Sequence, residues 1–112
     1  MKHKVVFLQS AADDLHEIRR YIRKHFSQAV WLDCYAKIRK AILNLEQFPQ
    51  SGHAPSELPA THFLEIVAAK NRVIYEVLGD TVYIHIICDS RQDFKTKLAR
   101  RPIRIFGPSR RP

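Results

Sequence analysis

The sequence predicts an α+β domain of two layers: an antiparallel helix hairpin packed on one face of a mainly antiparallel twisted sheet, with a short C-terminal helix. Three observations carry that prediction. Residues 72–89 alternate like two strands about a tight Gly79-Asp80 bend. Two stretches before position 46 repeat their apolar side chains every three or four residues. The resulting order, strand, helix, helix, strand, strand, strand and short helix, leaves two amphipathic helices to cover the apolar side of a sheet.

The hairpin organises the rest. Val, Ile and Tyr dominate both arms, and with Gly79-Asp80 as a two-residue loop Leu78 faces Thr81. The period of two then sorts Val73, Tyr75, Val77, Val82, Ile84, Ile86 and Cys88 onto one nearly apolar face, which needs a cover. The other face receives Arg72, Ile74, Glu76, Tyr83, His85, Ile87 and Asp89. A solvated sheet side and a working surface both fit that mixture.

Taken in order, residues 4–9 (KVVFLQ) read as an opening strand, and Ser10 with Asp13 approximates a capping box for a helix over 11–25. Asp13, Asp14 and Glu17 suit the positive end of its dipole, and Arg19, Arg20, Arg23 and Lys24 suit the later turns. Ala11, Leu15, Ile18, Ile22 and Phe26 form its buried stripe. Ser27 offers the next N-cap at once, so the two helices fold back as a hairpin. Trp31, Tyr35, Ile38, Ile42 and Leu45 make the second seam, widened by Leu32, Cys34, Ala36, Ala41 and Leu43, and Pro49 stops the helix.

Residues 49–62 hold three prolines and read as a surface loop; its His53 and His62 are candidates for a ligand or general base, a role that exposed loop histidines seldom have. Residues 63–68 (FLEIVA) are a strand, and 69–71 a short connection into the hairpin. Ser90 with Asp93 caps the last helix, where Phe94 and Leu98 pair, and Pro102 ends it. One domain over 1–103 and a basic, flexible tail over 104–112 follow.

Composition narrows the class. The chain has 112 residues, enough for one core, and a formal net charge of +8, with seven Lys or Arg and no acid from Lys95 onward. Charge so segregated favours nucleic acid or an acidic protein partner. No signal peptide and no membrane-length apolar run is present, so a soluble cytoplasmic protein is expected, with no membrane partner. Cys34 and Cys88 have neither metal-like nor redox-like spacing and read as small buried hydrophobes; no cofactor and no metal site is expected.

On these residues the chain resembles the RelE/ParE toxins of bacterial type II toxin-antitoxin modules, the plasmid stabilisation proteins. The matching features span about residues 4–101: the opening strand before SAADDLHEIRRYI, the helix pair ending near a Pro-x-x-Gly turn at 49–52, and NRVIYEVLGDTVYIHIICDSRQDF. The resemblance implies a small basic growth-arresting protein, neutralised by a cognate antitoxin with which it forms a hetero-oligomer. RNA-cleaving members act on messenger RNA at the ribosome, and ParE-like members act on DNA gyrase; fold does not choose between them.

Matching residue by residue favours the ParE-like branch. Arg72 occupies the position of the arginine that RNA-cleaving members carry at the start of this strand, and Arg91 falls near their basic residue after the last strand. Their further basic residues on the preceding strand have no counterpart in Phe63, Leu64, Glu65 and Ile66, and Lys97 and Leu98 stand where they show a tyrosine or histidine. A ribosome-dependent endonuclease would draw its catalytic set from Arg72 and Arg91 as cations, with His85 or Asp89 for proton transfer. Contacts to a target or nucleic acid would fall to Lys70, Arg72, Tyr83, Arg91, Lys95, Lys97, Arg100 and Arg101. The plainer alternatives are a packed His85, an Asp89–Lys70 pair, and salt bridges from the arginines to Glu76, Asp89 or Asp93. A non-toxic nucleic-acid-binding relative is the third reading, supported by the basic tail alone.

Overall fold

A computed structural model describes residues 2–58 and 61–90. It contains β1 (Lys4–Phe7), α1 (Gln9–His25), α2 (Gln28–Asn44), β2 (Leu64–Ala68), β3 (Asn71–Leu78) and β4 (Thr81–Asp89). The sheet order is β1-β4-β3-β2, antiparallel except where β1 runs parallel to β4. Both helices lie on one face, giving the two-layer α+β arrangement. The expected helix over 90–101 and the tail lie outside the described residues, as do Arg91, Lys95, Lys97, Arg100 and Arg101.

Local rules explain most of the element ends. Ser27 Oγ accepts the Val30 N–H at 3.1 Å and starts α2 as a side-chain cap. Gly79 takes φ +61° in the β3–β4 turn, and Leu78 pairs with Thr81. The β2–β3 turn is less ordinary: Ala69 and Lys70 both take positive φ, 51° and 62°, without being glycine. Asn71 Nδ2 steadies that turn by donating to the Ala69 carbonyl at 2.9 Å.

Ser10 does not cap α1. The helix begins at Gln9 with Leu8 in the capping position and no side-chain cap. The reason lies in unequal strand lengths: β1 covers the edge of β4 only as far as Ile84, opposite Phe7, while β4 continues to Asp89. The first turns of α1 take over that edge. Leu8 N–H donates to the Ile84 carbonyl (3.1 Å), Ser10 Oγ to the His85 carbonyl (2.7 Å), and the Ile87 N–H to Asp14 Oδ2 (3.0 Å). Buried backbone groups left bare by a short strand are thereby satisfied, and Asp14 is 2% exposed in doing so.

The helix-facing core joins Ala11 of α1 and Cys34, Ile38, Ile42 and Leu45 from α2 and its end to Val73, Tyr75, Val82, Ile84 and Ile87 of the sheet. Leu15, Ile18 and Ile22 pack against it as the stripe predicts, but Phe26 is exposed beyond the helix end. Tyr35, Leu32 and Leu43 are likewise exposed, so the α2 seam is narrower than its apolar pattern. Both cysteines are buried free thiols, and burial, then the neighbouring Asp33, pushes the Cys34 thiol up.

The period-two sorting of the hairpin fails at one point. Tyr75 pairs with Ile84 but Ile74 pairs with Ile86, so His85 is an extra residue and β4 bulges there. His85 and Ile86 consequently point the same way, and every later side chain is inverted. Ile87 enters the helix-facing core, whereas Ile86 and Cys88 join Phe63 and Ile74 in a second cluster on the opposite face.

Candidate functional site

That opposite face is not open. The segment after α2 folds over it, and the hydroxyl of fully buried Tyr75 fastens the segment's start. Tyr75 Oη donates to the Pro49 carbonyl (2.8 Å) and accepts the Gly52 N–H (3.0 Å). A Cβ on Gly52 would stand 2.6 Å from both Tyr75 Oη and the Glu65 carbonyl oxygen, so only glycine fits the crossing. His53 then bridges Glu65 through backbone hydrogen bonds, Pro55 is buried, and Leu58 packs on the second cluster.

Beneath this cover lie two polar groups. In the first, Arg72 is 6% exposed and gripped from two sides. Its Nε and Nη2 donate to Glu65 Oε2 and Oε1 at 2.9 and 2.8 Å, and its Nη1 and Nη2 donate to Glu57 Oε2 and Oε1 at 2.6 and 2.7 Å. Glu65 reaches Arg72 as a diagonal neighbour, because Val67 is the residue directly opposite. Glu57, then Glu65, hold the guanidinium pKa far above its ordinary value, so it stays charged. Arg72 therefore faces away from the helices, as alternation requires, but does not look into solvent.

In the second group the buried Glu76 carboxylate is shared by two imidazoles. His85 Nε2 lies 2.9 Å from Oε1, and His62 Nε2 lies 2.5 Å from Oε2. His85 is 6% exposed and meets the Phe63 ring edge-on, whereas the His62 side chain is 58% exposed and stacks on Phe63. Burial pushes the His85 pKa down, and the Glu76 hydrogen bond opposes this only in part. His85 is thus neutral near pH 7, with Nε2–H donating to Glu76.

Of the remaining expected residues, Tyr83 stands opposite Glu76 on the same face, whereas the bulge inverts Asp89. Tyr83 and Asp89 are half-buried on β4, and Lys70 is exposed at the β2–β3 turn. Arg72 and His85 share this face but lie in separate groups, Arg72 between the carboxylates of Glu57 and Glu65, and His85 with His62 against Glu76. Paired and buried in this way, the Arg72 guanidinium is not presented to a phosphodiester. Strand alternation already hints at Glu65 and Glu76 as acids on this face; Glu57 and His62 sit in a loop, where no periodicity shows their partners.

The family model described as "ParE toxin of type II toxin-antitoxin system, parDE" matches residues 5–94. The chain belongs to the ParE toxin family. Two solved structures share the ParE-family fold at 20% identity. One, a chromosomal ParDE toxin-antitoxin system from P. aeruginosa, has a TM-score of 0.67 and is matched over 79% of this chain and 96% of that one. The other, a RelBE toxin-antitoxin complex from Mycobacterium tuberculosis, has a TM-score of 0.55 over 80% and 99%. A search of curated proteins returned no match. This ParE-family toxin has, among its described residues, no helix long and apolar enough to cross a membrane and no cluster of His, Cys, Asp and Glu arranged to hold a metal ion.

Proposed function

We propose that this toxin arrests growth by binding DNA gyrase rather than by cutting messenger RNA. The observation that carries the reading is the state of Arg72. The arginine that an RNA-cleaving mechanism would use to stabilise a phosphorane already spends both edges of its guanidinium on Glu57 and Glu65. His85 lies neutral and buried against Glu76, tied into the fold instead of facing a substrate hydroxyl. The ParE family match supports the same branch.

A cognate antitoxin completes the proposal, as the two structural neighbours are toxin-antitoxin systems. Leu32, Tyr35 and Leu43 on α2 and Val67 on the edge strand β2 are exposed apolar side chains that a partner segment would cover. Purified toxin should inhibit gyrase supercoiling while leaving ribosome-bound message intact. New RNA ends within translated codons, lost on Arg72→Ala in a folded variant, would overturn the reading.

A further inference from the structure

α1 carries a second surface unrelated to the sheet. His16, Arg19, Arg20, Arg23 and Lys24 line one shallow groove on its outer side. Their spacing of three and four residues makes a single stripe, turned away from the Ala11, Leu15, Ile18 and Ile22 side that meets the core. All of Arg19, Arg20, Arg23 and Lys24 are exposed. None of the five side chains forms an ion pair with a carboxylate of the described residues; Asp13, a turn earlier, accepts from Gln9, and Glu17, three residues before Arg20, forms no ion pair with it. Complementing the helix dipole explains Arg23 and Lys24 in the last turn but not the others.

We propose that this stripe binds the phosphate backbone of duplex DNA, independently of sequence. The stripe contains no apolar or aromatic side chain, whereas protein interfaces place such anchors at their centre. Cations without an apolar centre are the pattern of backbone contacts. The arrangement also favours a duplex over a single strand. Arg19 and Arg23 form one row, Arg20 and Lys24 a second, each repeating at i, i+4, with His16 between them. At the outer diameter of a helix the rows stand roughly 10 Å apart. Two phosphate strands bound a DNA major groove about 12 Å wide, and two rows of long cationic side chains at this spacing can meet both. A single strand offers only one such line.

The test is a salt series of anisotropy titrations with a mixed-sequence 20-base-pair duplex, a single-stranded RNA of equal length and poly-glutamate as competitor. The full chain is compared with Arg19→Gln/Arg20→Gln/Arg23→Gln/Lys24→Gln, which retains the C-terminal basic segment, so the contribution of that segment cancels. Four phosphate contacts correspond to a loss of about 3.6 in the slope of log affinity against log salt. Between 50 and 200 mM salt the wild-type chain should therefore lose roughly 100-fold more affinity than the variant. Arg19→Lys/Arg20→Lys/Arg23→Lys, with the charge kept, should retain the wild-type slope. An unchanged slope in the Gln variant, loss of slope in the folded Lys variant, a stripe-dependent preference for RNA, or competition by poly-glutamate as strong as by duplex would each overturn the proposal.

Discussion

His85 shows how one residue can couple packing to solution conditions. Its folded pKa is lowered by burial, so the unfolded chain, with an ordinary value near 6.5, takes up a proton first as pH falls. The stability that comes from a neutral His85 is complete above about pH 6.5 and is lost progressively as pH drops toward the lowered folded value. Urea unfolding at pH 7.5 and 5.0 should show a larger drop for the wild type than for His85→Gln, which keeps a donor for Glu76 without titrating. Arg72 works in the opposite sense, as a permanent charge among acids. Arg72→Ala leaves Glu57 and Glu65 in a buried site without their cation, and the expected loss is about 3–5 kcal/mol. Adding Glu57→Gln and Glu65→Gln to Arg72→Met should recover much of it, measured by the same unfolding curves.

At the scale of elements, the junction between α1 and β4 is the feature on which the loop-covered face depends. The bulge at His85 places two successive side chains, His85 and Ile86, on that face, and α1 holds the adjoining backbone through Ser10 and Asp14. Asp14→Ala leaves the buried Ile87 N–H without that acceptor, at an expected cost of about 1–3 kcal/mol. Hydrogen exchange should accelerate first at Ile87 and its β4 neighbours, and uniform acceleration across the domain would contradict a local role. The helix boundaries, by contrast, follow from short-range chemistry. Ser27 caps α2 as its sequence position suggests, and the apolar stripes of both helices point inward over most of their length.

For the whole molecule, the two layers divide the surface into regions of different chemistry. The loop-covered face is acid-rich and closed, the outer side of α1 is cationic, and α2 with β2 exposes apolar side chains. Expression of the toxin alone should halt growth, and co-expression of its antitoxin should restore it. In vitro, antitoxin at a free concentration 100 times its Kd should stabilise the fold by about 2.7 kcal/mol, seen as a rise in Tm. Normal growth with folded toxin present would argue against an active toxin.

Periodicity alone anticipated the element order from β1 to β4, the Gly79-Asp80 register as far as Ile84 and the packing of two helices on one sheet face, because each depends on residues close together in the chain. The resemblance of NRVIYEVLGDTVYIHIICDSRQDF to the toxin family was legible for the same reason. Tertiary structure decided the rest. Only the full fold brings Glu57 to Arg72 and His62 to Glu76, because a loop folded over a sheet has no repeat that announces its contacts. Only the fold could invert Ile86, Ile87 and Cys88, since a bulge is stable where another element, here α1, supplies partners for the backbone it exposes.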